Sequence, residues 1–319
     1  MTPRPEDAKV TVAEFEKIFE SVKNWGRWGD DDELGTLNYV TPAKIRAATS
    51  LVRSGRRVSM AIPINRAPGP DNPNPATLLL VQGHDIPVDA SEVGFGLDWL
   101  GMAAHGDCHT HVDALCHISY GGLTYNGKPA NEVLRSNGAT TQDVAAYHAG
   151  IVGRGVLLDI PAHRDVPWLE PGDVVRRAEL EACADAQGVE LCEGDFLVFR
   201  TGHHRRRLEL GAWDNNPPPV GQGKAGLHVD AIPWMHELRL AAFLPDGDGE
   251  AVPSVVDGIT YPIHPLQVVA MGMLVSDSLQ FEELVTACRE EGRYEFMVVG
   301  LPLRLPGATG SPWNPLAIF

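Results

Sequence analysis

The spacing of apolar residues along the chain predicts alternating helices and strands. Apolar side chains recur at a helical period between Val10 and Val22, and Thr41 followed by Pro42 is typical of a helix start. Further helices are predicted near 176–187, 228–238, 264–272 and 279–290. Strands are predicted at 57–62, 77–82, 105–114, 155–160, 194–200, 239–244 and 294–303. This alternation predicts an α/β or α+β protein.

The length of 319 residues is long for one domain and short for two large ones. We therefore expect residues 1–319 to form one domain with an N-terminal helical extension over about 1–52. The segments 66–75 and 214–226 are rich in proline, glycine and asparagine, which predicts loops. Loops of that length often form the walls of active sites.

Residues 105–117, HGDCHTHVDALCH, carry four histidines and two aspartates. On an extended strand, residues two apart share a face, so one face here carries only groups that bind metals. These residues are His105, Asp107, His109, His111 and Asp113. Several half-buried imidazoles and carboxylates need a cation or hydrogen bonds to compensate them. The segment predicts a metal site, and a surface strand with clustered histidines is the alternative.

The net charge of -16 argues against a nucleic acid or an anionic membrane as partner. The basic run at 203–207, HHRRR, is interpreted as a solvated turn. Five cysteines, an odd number without a regular spacing, favour reduced thiols. The chain shows no stretch of 18 apolar residues and no basic-then-apolar leader, so we expect a soluble cytoplasmic protein.

The motif THVDALCH, residues 110–117, resembles the metal-dependent hydrolases often called the cyclase family, which include bacterial kynurenine formamidase and isatin hydrolase. Their signature is His-x-Gly-Thr-His-x-Asp-x-Pro-x-His. Thr110, His111, Asp113 and His117 match it, whereas Asp107, His109 and Leu115 replace its first His, its Gly and its Pro. The segments 24–38, 125–129, 194–202 and 294–319 resemble longer members of the family, so the resemblance covers most of the chain.

The resemblance implies a swivelling β/β/α fold, with a mixed sheet or barrel-like core and flanking helices. It also implies one or two divalent ions, Mn or Zn, and a homodimer or homotetramer. The implied metal ligands are Asp107, His111, Asp113, His264 and Asp277, and the implied acid/base residue is His117.

Several of these roles have alternatives. Asp107 and Asp113 would lie about 20 Å apart on a straight strand, so a single ion requires a bend. Gly106 is a candidate hinge, and otherwise Asp107 orients a neighbouring histidine from outside the ligand set. Asp277 precedes a predicted helix that it could cap. His117 is an acid/base group, a fourth ligand or a partner of Asp113.

A divalent ion that is held by imidazole and carboxylate ligands and keeps one position open converts bound water to hydroxide at neutral pH. This nucleophile suits the hydrolysis of an amide, a cyclic amide or a lactone. We expect a small substrate, and Trp25, Trp28, Trp99 and Tyr120 are candidates for an aromatic pocket, although core packing is the commoner role. Two other functions compete. One is a non-haem Fe(II) oxygenase that uses His111, Asp113 and His264, and the other is a non-catalytic protein that binds a metal or a small molecule.

Overall fold

The structure is a computed structural model that describes residues 9–85, 89 and 91–319. The strands are β1 Arg57–Ser59, β2 Thr77–Gln82, β3 Leu97–Gly101, β4 His111–Asp113, β5 Leu134–Arg135, β6 Gly138–Ala139, β7 Ile151–Asp159, β8 Val174–Val175, β9 Phe196–Arg200, β10 Gly226–Leu227, β11 Ala242–Pro245, β12 Leu274–Asp277, β13 Glu295–Gly300, β14 Gly310–Pro312 and β15 Leu316–Ile318. The helices are α1 Val12–Ser21, α2 Pro42–Thr49, α3 Ala130–Val133, α4 Ile160–Arg164, α5 Arg177–Gln187, α6 His203–Leu210, α7 Ala231–Glu237 and α8 Glu282–Glu291, with a π-helix at Pro265–Met271. In the described ranges no helix is long and apolar enough to cross a membrane.

One mixed sheet of nine strands organises the molecule and curls into a half-barrel. Its strand order is β1-β15-β13-β7-β9-β11-β12-β4-β14. The four central strands, β7, β9, β11 and β12, run parallel to one another, and the strands on both sides are antiparallel. This architecture confirms the expected α/β class with a mixed, barrel-like sheet and flanking helices.

The central strands are buried on both faces. Val156 and Leu158 of β7 point into one apolar cluster, which includes α1, α5, α7 and the π-helix. Leu157, between them, points into a second cluster that includes α8 and the C-terminal Phe319. Because side chains alternate along a strand, near-continuous apolar runs such as GVLLDI serve both cores at once.

Several sequence predictions are confirmed. The helix at Val12–Ser21 begins at a capping box formed by Thr11 and Glu14, and the second helix starts at Pro42 with Thr41 as its cap. The strand predicted at 105–114 is much shorter than expected, since only His111–Asp113 pairs with neighbouring strands. Strand β12 is not predicted from the sequence; it is only four residues long and begins three residues after the π-helix ends.

The interpretation of HHRRR as a solvated turn is wrong. The run opens α6, and His203, His204 and Arg206 are buried. The carboxylate of Asp246 accepts hydrogen bonds from the backbone N–H groups of Gly202 and His203. The guanidinium of Arg206 lies 4.4 Å from the ring of Trp213. Polar residues with long or planar side chains can pack over a core. The pattern of apolar positions along the sequence does not reveal burial of this kind.

The β4–β12 pairing places two candidate ligands side by side. His111 lies directly opposite Asp277 in the antiparallel register. The hydroxyl of Ser276 donates to the backbone oxygen of His111 at 2.8 Å, and the indole of Trp313 donates to that hydroxyl at 2.8 Å. The hydroxyl of Thr110 donates to the backbone oxygen of Ser278 at 2.6 Å. These bonds fix the relative positions of the two strands.

We expect the contact between Gly35 and Gly272 to be essential for stability, because Gly272 ends the π-helix that follows His264. Gly35 has φ +54°, and a Cβ there would lie 1.8 Å from the backbone oxygen of Gly272. The control is Gly55, which has φ +74° with open space around it. In Gly55→Ala the left-handed backbone alone costs about 1–2 kcal/mol. Gly35→Ala should lower the free energy of unfolding, measured in urea, by clearly more. Equal losses in the two variants would contradict this reading of the contact.

Candidate metal centre

The polar segment folds back on itself instead of continuing as a strand. Gly106 has φ +141°, a conformation that glycine adopts readily. The Nδ1 atom of His105 lies 3.0 Å from the Oδ1 atom of Asp113, although a straight strand would separate these residues by about 26 Å. The prediction of one continuous polar face over 105–113 is therefore wrong. The chain does bend at Gly106, but the bend brings His105, and not Asp107, next to Asp113.

Three of the predicted ligands come together. The Nε2 atom of His111 lies 3.5 Å from Oδ1 of Asp113 and 3.9 Å from Oδ2 of Asp277. Two ligands bound to one tetrahedral ion at about 2.1 Å each are separated by about 3.4 Å, so these spacings suit a shared cation. His105, Asp113 and His117 form a second group of the same kind, with all ligand atoms within 4.8 Å of one another. Asp113 belongs to both groups.

Buried atoms without hydrogen-bond partners converge on this point. Both carboxylate oxygens of Asp113, the Oδ1 atom of Asp277 and the Nδ1 atom of His105 are buried and make no aligned hydrogen bond. Asp113 is 2% exposed. The imidazole of His105 compensates one oxygen of Asp113 only in part, and a buried carboxylate with so few hydrogen bonds is strongly unfavourable unless a bound cation removes the penalty. The residues present therefore fit a divalent metal ion.

The imidazoles of His111 and His264 each make a hydrogen bond through the ring nitrogen that faces away from the site. This bond orients the other ring nitrogen towards the site. The Nδ1 atom of His111 donates to the backbone oxygen of His109 at 2.8 Å, which leaves Nε2 as the acceptor facing the carboxylates. In His264, Nδ1 donates to Oε1 of Glu250 at 2.8 Å, and Nε2 lies 3.3 Å from Oδ2 of Asp277. This arrangement, a carboxylate behind a histidine, is typical of metal sites.

The side chain of His117 belongs to the second ligand group and makes no hydrogen bond to another described residue. Its ring stacks on that of His105 at a centroid distance of 3.6 Å and an angle of 3°. Burial lowers the pKa of His117 to about 4, although the charge of Asp113 opposes the shift. The imidazole is therefore neutral at pH 7 and able to accept a proton. For Asp113, burial acts to raise the pKa, but His105 and the neighbouring imidazoles hold it below the usual range.

Asp107 lies apart from the other predicted ligands. Its Oδ1 atom is 3.2 Å from the Nζ atom of Lys224, which also pairs with Asp248. Asp107 belongs to neither candidate ligand group found among the described residues. His105 instead contacts Asp113. The signature aligns Asp107 with the first histidine, and His105 or His109 is the alternative ligand if Asp107 does not bind the ion. A ligand role for Asp107 stays a prediction.

The candidate ligands border a cavity of about 430 Å³. Its walls include His105, Asp107, His111, His117, Lys224, Asp248, Tyr261, His264 and Asp277. Trp25, Trp28, Trp99 and Tyr120 are not among its lining residues, so the aromatic group that a ligand meets here is Tyr261. Cys108 and Cys116 are buried free thiols, as expected, and belong to neither ligand group in the described part of the chain.

Comparison with known proteins identifies the family. Residues 54–248 match the model of a family described as putative cyclase. A crystal structure described as a novel cyclase is 33% identical, with a TM-score of 0.82 over 94% of this chain and 99% of that chain. No curated protein matches significantly. The chain therefore belongs to the cyclase family.

More distant solved structures share the fold. Isatin hydrolase A from Ralstonia solanacearum is 19% identical, with a TM-score of 0.56 over 82% of this chain and 91% of that chain. An isatin hydrolase bound to the product analogue thioisatinate is 17% identical, with a TM-score of 0.58 over 87% of this chain and 95% of that chain. These similarities support the fold assignment.

We expect Zn or Mn to stabilise the metal-free protein. An ion that binds only the folded state at 100 times its Kd adds about 2.7 kcal/mol, which should raise the Tm measurably. Asp113→Asn should remove most of this rise, because Asp113 belongs to both ligand groups. His148→Ala changes an exposed histidine and should keep the full rise. If the metal raises the Tm of Asp113→Asn as much as that of the parent protein, the metal binds at another place.

Proposed function

We propose that this protein is a divalent-metal-dependent hydrolase that opens an amide, cyclic amide or lactone bond of a small substrate. The observation that carries the proposal is the convergence of buried carboxylate and imidazole groups with few hydrogen bonds beside a cavity that His117 also lines. Its fold relatives include two isatin hydrolases, which supports a cyclic amide as the substrate class.

The ligand set that we propose is His105, His111, Asp113, His264 and Asp277. Because Asp113 belongs to both groups, the site suits one ion or a pair that shares this carboxylate. Mixed nitrogen and oxygen ligands suit Zn and Mn alike. A divalent ion supplies Lewis acidity, which lowers the pKa of bound water to roughly 7 and polarises a carbonyl.

The remaining chemistry belongs to side chains of this protein. His117 takes the proton of the attacking water on its ring nitrogen and returns it to the leaving nitrogen or oxygen. Stacking against His105 holds the ring parallel, and His105 is itself anchored by Thr309, whose Oγ1 lies 2.9 Å from its Nε2. Glu250 fixes the orientation of His264.

The competing functions have less support. An Fe(II) oxygenase holds its ion with two histidines and one carboxylate, whereas among the described residues His111 groups with two carboxylates, those of Asp113 and Asp277. A non-catalytic binding protein would not require a neutral imidazole at the cavity wall. A homodimer or homotetramer, a cytoplasmic location and the absence of a nucleic acid or membrane partner remain part of the proposal.

Turnover should depend on the metal. We expect the purified protein to hydrolyse at least one of N-formylkynurenine, isatin and a simple lactone, with one or two Zn or Mn ions per chain. Dialysis against a chelator should abolish the activity, and adding Zn or Mn should restore it. A metal-free protein that keeps full hydrolytic activity would exclude the proposal.

Replacing His117 tests its role as the acid/base group. His117→Ala should lower kcat by about 10² to 10⁴, the usual contribution of a positioned acid/base residue, while the metal content stays close to that of the parent. His148→Ala serves as the matched control and should change neither quantity. Loss of the metal together with activity would instead make His117 a ligand.

A further inference from the structure

Asp107 and Lys224 form a second polar feature on the wall of the cavity that contains the candidate ligands. The side chain of Lys224 is only 5% exposed, and its ammonium pairs with both Asp107 and Asp248. The backbone of Lys224 is held by reciprocal hydrogen bonds with Val252 at 3.0 and 2.9 Å. The cation is therefore fixed in place and surrounded.

The two carboxylates outnumber the cation, so this part of the wall carries one surplus negative charge. The side chain of Asp107 is 37% exposed, whereas those of Asp248 and Lys224 are 16% and 5% exposed. A molecule that enters the cavity thus meets the Asp107 carboxylate first, with the lysine behind it. An ionised carboxylate only accepts hydrogen bonds, so it favours a donor and repels an anion.

Tyr261 contributes an aromatic surface to the same wall. Its ring lies 5.5 Å from the Nζ atom of Lys224, and the residue is 41% exposed. The ring therefore already contacts the lysine ammonium, an interaction that helps to hold Lys224 beside Asp107.

We propose that Asp107 is a specificity-determining residue that selects substrates bearing a protonated amine and disfavours substrates bearing a carboxylate. The inference rests on the proposed hydrolase function for its kinetic test. It assigns Asp107 a role toward the substrate instead of the metal. Lys224 acts as a positioning residue that holds the Asp107 carboxylate at the cavity wall.

Three lactones with the same ring test the proposal. They are γ-butyrolactone, which is neutral, its α-amino derivative, used at a pH at which the amine is protonated, and a derivative with a carboxylate on the ring. In the parent protein, kcat/KM should be highest for the ammonium lactone and lowest for the carboxylate lactone. In Asp107→Asn the ratio of kcat/KM for the ammonium lactone to kcat/KM for the neutral lactone should fall about tenfold or more. The kcat/KM for the carboxylate lactone should rise. Asp98→Asn removes an exposed carboxylate of β3 outside the cavity lining and should leave the ratios unchanged.

Calorimetric binding of the ammonium and neutral lactones to the metal-loaded protein provides a readout that does not require turnover. If no lactone is turned over, the lactone reaction of the proposed function fails, while a binding preference for the ammonium lactone that disappears in Asp107→Asn still supports the inference. Unchanged preferences in Asp107→Asn, in both assays, would overturn it. Metal loss in Asp107→Asn would also overturn it, because Asp107 would then be the ligand that the signature implies.

Discussion

The antiparallel pairing of β4 with β12 is the interaction on which the candidate site depends. It sets His111 opposite Asp277, and two residues later on the same short strand it brings Asp113 into the interior. Asp113 is buried without aligned hydrogen bonds, which the fold tolerates only if another charge compensates it. The imidazoles of His105, His111 and His117 lie around the Asp113 carboxylate, and His264 contacts Asp277.

The strand order also explains why the site lies where it does. Strand β12 is the last of the four parallel strands, and β4 is the first antiparallel strand beside it. Ligands in open sheets with parallel strands bind beyond the carboxyl ends of those strands, and Asp277 is the last residue of β12. Asp246 and Asp248 follow the end of β11 in the same way, and Asp248 lines the cavity. The acidic character of the cavity thus follows from the topology.

Much of the fold could be predicted from the sequence, and the site less completely. The apolar runs of the central strands are long enough to identify, because both faces of the sheet are buried. Periodicity cannot reveal a chain reversal, so the 105–110 segment was expected to continue the strand. His111, Asp113 and His117, the residues that match the signature, lie after the reversal, and the structure brings them together. His105 and Asp107 lie at the reversal, and their side chains separate there.

This separation has a physical basis in Gly106. Nothing lies within 4 Å of the position that a Cβ would take at this residue, so space does not require glycine. The backbone conformation does, since φ +141° is strained for other residues. With that conformation, the chain turns His105 towards Asp113, where Gly310 leaves room for the imidazole: a Cβ on Gly310 would lie 2.7 Å from Cε1 of His105. The residue after the hinge then points to Lys224. A carboxylate at position 107 is therefore free to serve the substrate, because the reversal has already supplied an imidazole next to Asp113.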